Sequence, residues 1–287
     1  MDLPNLSTLD AAAEIVHRVV PPTPQYCWPL LSRRIGAELW VKHENHTAIG
    51  AFKLRGGVVY LEDLRRSQPG IAGVISATTG NHGQSIAYGA TRLGLKATIV
   101  VPHGNSPEKN RAMAAFGATL VEHGHDFQAA YDYAIATAER DNLHLVRSYH
   151  PLLVHGVASY GLELFRAVPD LDIVYVPIGL GSGICGVIAA RAALGLKTEI
   201  VGVVAANAAT YALSFAAGKP VATNSADTFA GGLAVRVPDA AALDIICRGA
   251  ARIVTVSDAE MRRAMRVIFT DTHTVAEGAG AAAFAAA

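Results

Sequence analysis

Three short stretches of this sequence concentrate side chains that could do chemistry. The first, from Lys42 to Gly57, holds two lysines, two histidines, a glutamate and an arginine. Within it Lys53 follows Gly50-Ala51-Phe52 and precedes the start of a helix. A lysine near a helix N-terminus and other cations has its ammonium form disfavoured, which leaves a better nucleophile. The second stretch, Thr78-Thr79-Gly80-Asn81-His82-Gly83-Gln84, is a strand-to-helix turn rich in donors. Its backbone amides and hydroxyls could hold a carboxylate; the plainer alternative is a helix capped by Thr78 or Thr79, with His82 a hydrogen-bonded structural histidine. The third stretch runs a strand, Val174 to Pro177, into Gly179-Leu180-Gly181-Ser182-Gly183 and then a helix. Glycines let the backbone approach an anion, and free amides at the helix start point towards it. Phosphate binding is the chemical reading, and a tight turn without a ligand is the alternative.

Gly181-Ser182-Gly183-Ile184-Cys185-Gly186 also spells the dinucleotide fingerprint, which further requires an acidic residue at the end of the next strand. That strand ends Val203-Val204-Ala205-Ala206-Asn207, without a carboxylate, so nicotinamide binding is the second choice and a phosphate monoester the first. The eleven histidines form no recurrent HxH or HxxxH pair with a carboxylate partner, so no metal is expected.

The elements that must carry these loops alternate along the chain. Strands are expected at 37–42, 73–77, 96–101, 119–122, 143–146, 173–176 and 199–204. Helices are expected at 56–66, 83–93, 107–116, 127–141, 155–167 and 183–194. Short β-branched runs separated by helices argue for parallel strands with crossover helices, hence an α/β protein. From about Asn207 the signals weaken to loops, with one further helix from Asp258 to Phe269 capped at Ser257 or Asp258.

Composition narrows the class. At 287 residues and 51% hydrophobic, the chain can bury a large core shared between two lobes. Lys and Arg number 24, as do Asp and Glu, so no basic excess exists to hold a nucleic acid. Three scattered cysteines without a CxxC pair argue against a disulfide framework and for a reducing cytoplasm. No uninterrupted apolar run reaches the length of a membrane span, and the N-terminus does not read as a secretory signal.

With all three loops in view, the sequence resembles the pyridoxal-phosphate enzymes of the serine/threonine dehydratase and serine racemase family, from about Leu30 to its end. Lys42-x-Glu44 followed by Gly50-Ala51-Phe52-Lys53-Leu54-Arg55-Gly56 is similar to that family's lysine motif, and Thr79-Gly80-Asn81-His82-Gly83-Gln84 to its asparagine loop. The resemblance implies fold type II, two lobes each with a mostly parallel sheet flanked by helices. Residues 1–70 and 147–287 would form the large lobe, and 71–146 a smaller mobile one. It implies pyridoxal 5'-phosphate bound through Lys53 and contacted by Phe52, Asn81, Gly179, Leu180, Gly181, Ser182, Gly232 (from Gly231-Gly232-Leu233-Ala234) and Glu277. Thr78, Thr79, Gly80 and His82 would take the carboxylate of an amino-acid substrate. The implied activity is loss of water and ammonia from a β-hydroxy amino acid such as L-threonine or L-serine, in a cytoplasmic homodimer. Hydroxyaspartate or phenylserine dehydration and racemisation are the alternatives.

Four departures from the family pattern bear on these expectations. Ala51 replaces a serine beside the lysine, and Thr79 stands where racemases carry a serine base, which argues against racemisation. Ala205-Ala206-Asn207 replaces the carboxylates that bind a divalent cation in many relatives. The family also continues into a strand and a serine-glycine loop, whereas this sequence stops in an alanine-rich helix at Ala287, so a truncated form is expected.

Overall fold

The computed structural model describes residues 3–287, which form twelve α-helices and nine β-strands. Helix α1 (Leu6–His17) leads to an antiparallel pair, β1 (Gln25–Cys27) and β2 (Trp40–Lys42), with α2 (Pro29–Ile35) between them, and then to α3 (Lys53–Ser67). The next stretch contains β3 (Gly73–Ala77), α4 (Asn81–Arg92), β4 (Lys96–Val101), α5 (Pro107–Ala115), β5 (Ala118–Glu122), α6 (Phe127–Arg140) and β6 (His144–Leu145). Its four strands make one parallel sheet in the order β5-β4-β3-β6. After α7 (Pro151–Ala167) come β7 (Ile173–Pro177), α8 (Ser182–Ala193), β8 (Glu199–Ala205), α9 (Thr210–Ala217), α10 (Ala240–Gly249), β9 (Arg252–Val256), α11 (Asp258–Thr272) and α12 (Gly278–Ala286). Strands β7-β8-β9 form a second parallel sheet. The α/β reading with parallel sheets flanked by helices therefore holds.

Local chemistry explains where the elements begin. Ser106 caps α5 with Pro107 in its first turn, Asp126 caps α6, and Ser257 with Glu260 closes a reciprocal capping box on α11. Strand β3 is buried along its whole length, as a strand covered by helices on both faces must be. Helix α7 starts at Pro151 rather than His155, because the His150 ring accepts a hydrogen bond from Leu152 N and initiates it earlier. The weak last third conceals α9, a short run with little periodic contrast, and with it α10 and β9. The expected strand at 37–42 shortens to β2, and its partner β1 went unpredicted.

Two large cores lie beneath these sheets. One joins α1, α7, α8 and α10 to β7 and β8 through Phe165, Ile184, Val187 and Ile246. The other joins β3, β4 and α4 to Tyr60, Leu61 and Leu64 of α3 and Leu153 of α7. Helices α3 and α7 cross where glycines remove the side chains: a Cβ on Gly156 would stand 2.3 Å from the Arg55 carbonyl oxygen. This crossing fixes the start of α3, and with it Lys53. No described helix is long and apolar enough to cross a membrane.

Candidate active site

Lys53 is the first residue of α3, and its carbonyl accepts a hydrogen bond from Ser85 Oγ of α4 at 2.7 Å. Its Nζ donates to Ser182 Oγ at 2.8 Å and lies 4.8 Å from the centre of the Phe52 ring. Phe52 meets Tyr160 edge-on, and Tyr160 Oη donates to the Gly183 carbonyl at 3.2 Å. The lysine motif and the phosphate-type glycine loop, separated by more than a hundred residues, are thus joined at one amine. Burial pushes the Lys53 amine down to about 8, although the residue is not fully buried. The expectation that neighbouring cations disfavour the ammonium needs correcting, because Lys42 and Arg55 are committed to carboxylates and desolvation supplies the shift.

The glycine loop is built for close approach. A Cβ on Gly179 would fall 2.2 Å from the Gly232 carbonyl oxygen, so the segments 179–182 and 231–233 are in direct backbone contact. Gly181 occupies the N-cap of α8 with φ +104°, a conformation side chains other than glycine rarely adopt. No side chain caps that helix start. Tyr211 Oη donates to the Leu180 carbonyl at 2.9 Å and accepts from Asp239 N at 3.0 Å, which holds the loop open. The result is an uncapped helix start whose free amides, with a lysine amine beside them, could receive an anion.

The asparagine loop lies at the end of β3, where the order of the four-stranded sheet reverses between β4 and β6. Ligands bind at such switch points in open α/β sheets. Thr78 Oγ1 accepts from Gly80 N at 3.2 Å, and the N-cap of α4 is Gly80, with no side-chain cap. The simple capped-helix alternative therefore does not describe this turn. Thr78 is buried and Thr79 exposed. Asn81 Nδ2 donates to Glu277 Oε1 at 2.7 Å, which brings together two residues nearly two hundred positions apart.

His82 is buried, and its Nε2 has no hydrogen-bond partner. The ring is also hydrogen-bonded to the Val146 backbone, and burial, aided by the charge of Lys53, lowers its pKa to about 3. A neutral imidazole held in this way presents a lone pair at Nε2. That differs from the expectation that His82 grips a carboxylate, because an acceptor offers a carboxylate nothing.

Several contacts around the site lie beyond what the sequence shows. Arg55 is fully buried and ties Glu44, at 2.7 Å and 2.9 Å, to Glu163, at 2.6 Å and 3.0 Å. Lys42 Nζ reaches Glu163 at 2.6 Å, and the His17 ring reaches it at 2.8 Å. The motif Lys42-x-Glu44…Arg55 thus converges on Glu163 of α7, which, like His17, no local reading of the sequence picks out. The same holds for Lys109 of α5; its Nζ lies 3.4 Å from Glu277 Oε2.

An amine of lowered basicity, an uncapped glycine-flanked helix start and an orphaned buried ring nitrogen together suit a small aldehyde carrying a phosphate. Comparison with known proteins agrees. The model of the family described as "Pyridoxal-phosphate dependent enzyme" matches residues 16–287, and the chain belongs to that family. The biosynthetic L-threonine dehydratase IlvA of Pasteurella multocida is 31% identical over 271 residues, covering 94% of this chain and 53% of the relative. The L-threonine ammonia-lyase of Thermotoga maritima is 30% identical, over 98% of this chain and 70% of its own. The processed form of threonine deaminase isoform 2 from Solanum lycopersicum superposes with a TM-score of 0.90 at 28% identity, covering 98% of this chain and 84% of that one. The chain spans about half the length of several curated relatives it matches.

Proposed function

We propose that this protein is a pyridoxal-phosphate-dependent ammonia-lyase that removes water and ammonia from a β-hydroxy amino acid such as L-threonine or L-serine. The observation that carries this reading is the junction at Lys53 Nζ, where a reactive amine meets the phosphate-type loop at Ser182. The net change converts the β-hydroxy amino acid to a 2-keto acid and ammonium, with water taken up in the last step equal to the water lost in the first.

When bound, pyridoxal phosphate supplies a conjugated ring that takes up the electron pair left at Cα. The amides of Gly179, Leu180, Gly181 and Ser182 would hold its phosphate, and Gly232 would close the cradle from the facing segment. Phe52 and Asn81 would flank the ring, with Glu277 fixing the Asn81 amide. Lys53, partly neutral near pH 8, takes the Cα proton on Nζ; its hydrogen bond to Ser182 directs the amine. Thr78, Thr79 and Gly80 at the uncapped start of α4 receive the substrate carboxylate. His82 Nε2 accepts a hydrogen bond from an ammonium or hydroxyl group.

The reading extends to the whole protein. Residues 71–146, carrying the four-stranded sheet, form a smaller domain that closes over the substrate, with 1–70 and 147–287 forming the larger one. Three free cysteines suit a reducing cytoplasm. Exposed Leu30, Phe269 and Val275 offer apolar surface for a homodimer. Incubating the holoprotein with L-threonine, L-serine, 3-hydroxyaspartate and phenylserine and assaying 2-keto acid is the direct test. Turnover of at least one, abolished in Lys53→Ala, is expected; a wild-type protein inert to all four refutes the activity.

A further inference from the structure

Lys109 lies outside every motif legible in the sequence, yet the fold sets it against Glu277 and beside Gly80. It stands in the first turn of α5, where its backbone N–H donates to the capping Ser106 Oγ. From there its side chain reaches across to the segment preceding α12 and meets Glu277. A Cβ on Gly80 would come within 2.8 Å of Lys109 Cδ and 3.2 Å of its Nζ, and one on Gly231 would be 4.0 Å from Nζ. Three separate segments therefore converge on one ammonium: the turn after β3, the 231–233 turn and the start of α12.

The contacts run in series. Glu277 gives Oε2 to Lys109 and Oε1 to Asn81 Nδ2, while Asn81 Oδ1 accepts from Gln84 Nε2 at 3.4 Å. With both its amide groups engaged, Asn81 has one orientation. Lys109 meets the second oxygen of Glu277 and so restrains the carboxylate that Asn81 bonds. Both ends of the ion pair are partly exposed, 28% for Lys109 and 44% for Glu277, so the pair is moderate in strength and open to screening.

Given the pyridoxal-phosphate reading above, we propose that Lys109 is a positioning residue that acts through Glu277 to aim the Asn81 amide at the cofactor ring and to latch α5 across the site. The test is equilibrium dialysis of pyridoxal phosphate against wild type, Lys109→Met, Lys109→Arg, Glu277→Gln and the Lys109→Met/Glu277→Gln double variant. Thermal melts of the apoproteins run alongside. At low ionic strength Lys109→Met weakens cofactor binding about five-fold, and Lys109→Arg restores it. The loss shrinks as salt is raised, and the double variant binds no worse than the weaker single variant. Apoprotein melting temperatures stay together. Lys109→Met binding within about two-fold of wild type at low salt, additive losses in the double variant, or a loss matched by a lower apoprotein melting temperature would each overturn the latch. Wild type that takes up no pyridoxal phosphate overturns the cofactor reading itself, an outcome separate from a latch that fails in a binding-competent protein.

Discussion

At the scale of single residues, the account turns on an amine whose basicity is set by its surroundings. With its ordinary value lowered to about 8, Lys53 loses its proton well before solvent-exposed lysines do. Competitive acetylation of the apoprotein, read by peptide mass spectrometry, should show Lys53 reactivity rising with pH and half-maximal near pH 8. A midpoint above pH 10 would contradict burial as the cause. His82 should stay neutral throughout that range, since its titration lies near pH 3. The candidate residues Lys53, Asn81 and the glycine loop are legible in the sequence because each sits in a compact local motif, and the fold brings Lys53 to Ser182 and Asn81 to Glu277. The supporting partners are not legible, because Glu163, Lys109 and Tyr211 reach the site from distant elements through contacts that no spacing rule encodes. The cause of the Lys53 shift was misassigned for the same reason. Sequence proximity placed Lys42 and Arg55 beside it, while the fold spends their charges on Glu44 and Glu163.

At the scale of elements, glycines define where backbones must touch. Gly179→Ala would drive a methyl group into the Gly232 carbonyl, with the contact at 2.2 Å, and part the two walls of the cradle. The expected result is a protein that folds but takes up pyridoxal phosphate at least about ten-fold more weakly, measured by equilibrium dialysis. Unchanged affinity would remove the cradle from the argument. Gly156→Ala acts elsewhere: its methyl group meets the Arg55 carbonyl at 2.3 Å in the α3–α7 crossing. Denaturant unfolding should show a loss of about 3 kcal/mol. Strands β3 and β4 were read to the residue because continuous β-branched runs end in sharp turns. Helix α9 is illegible because its short run carries little apolar periodicity, whereas α10 buries a clear apolar stripe, Ala242, Leu243, Ile245 and Ile246, set among loop signals that mask it.

At the scale of the whole molecule, two parallel sheets with separate cores are held together through α3 and α7, and the site lies where their loops converge. Arg55 is the charged centre of that junction and has no access to solvent. Arg55→Met would leave Glu44 and Glu163 without their common partner and should cost about 3–5 kcal/mol in unfolding free energy. A loss below about 1 kcal/mol would mean that the network is ornamental.

The central claim is that Lys53 is the residue that binds pyridoxal phosphate covalently. Borohydride reduction of the protein with bound pyridoxal phosphate, followed by peptide mapping, tests it most directly. The account predicts one added cofactor mass, confined to the peptide bearing Lys53 and absent from Lys53→Ala. Label on a different lysine, or none at all, would contradict it.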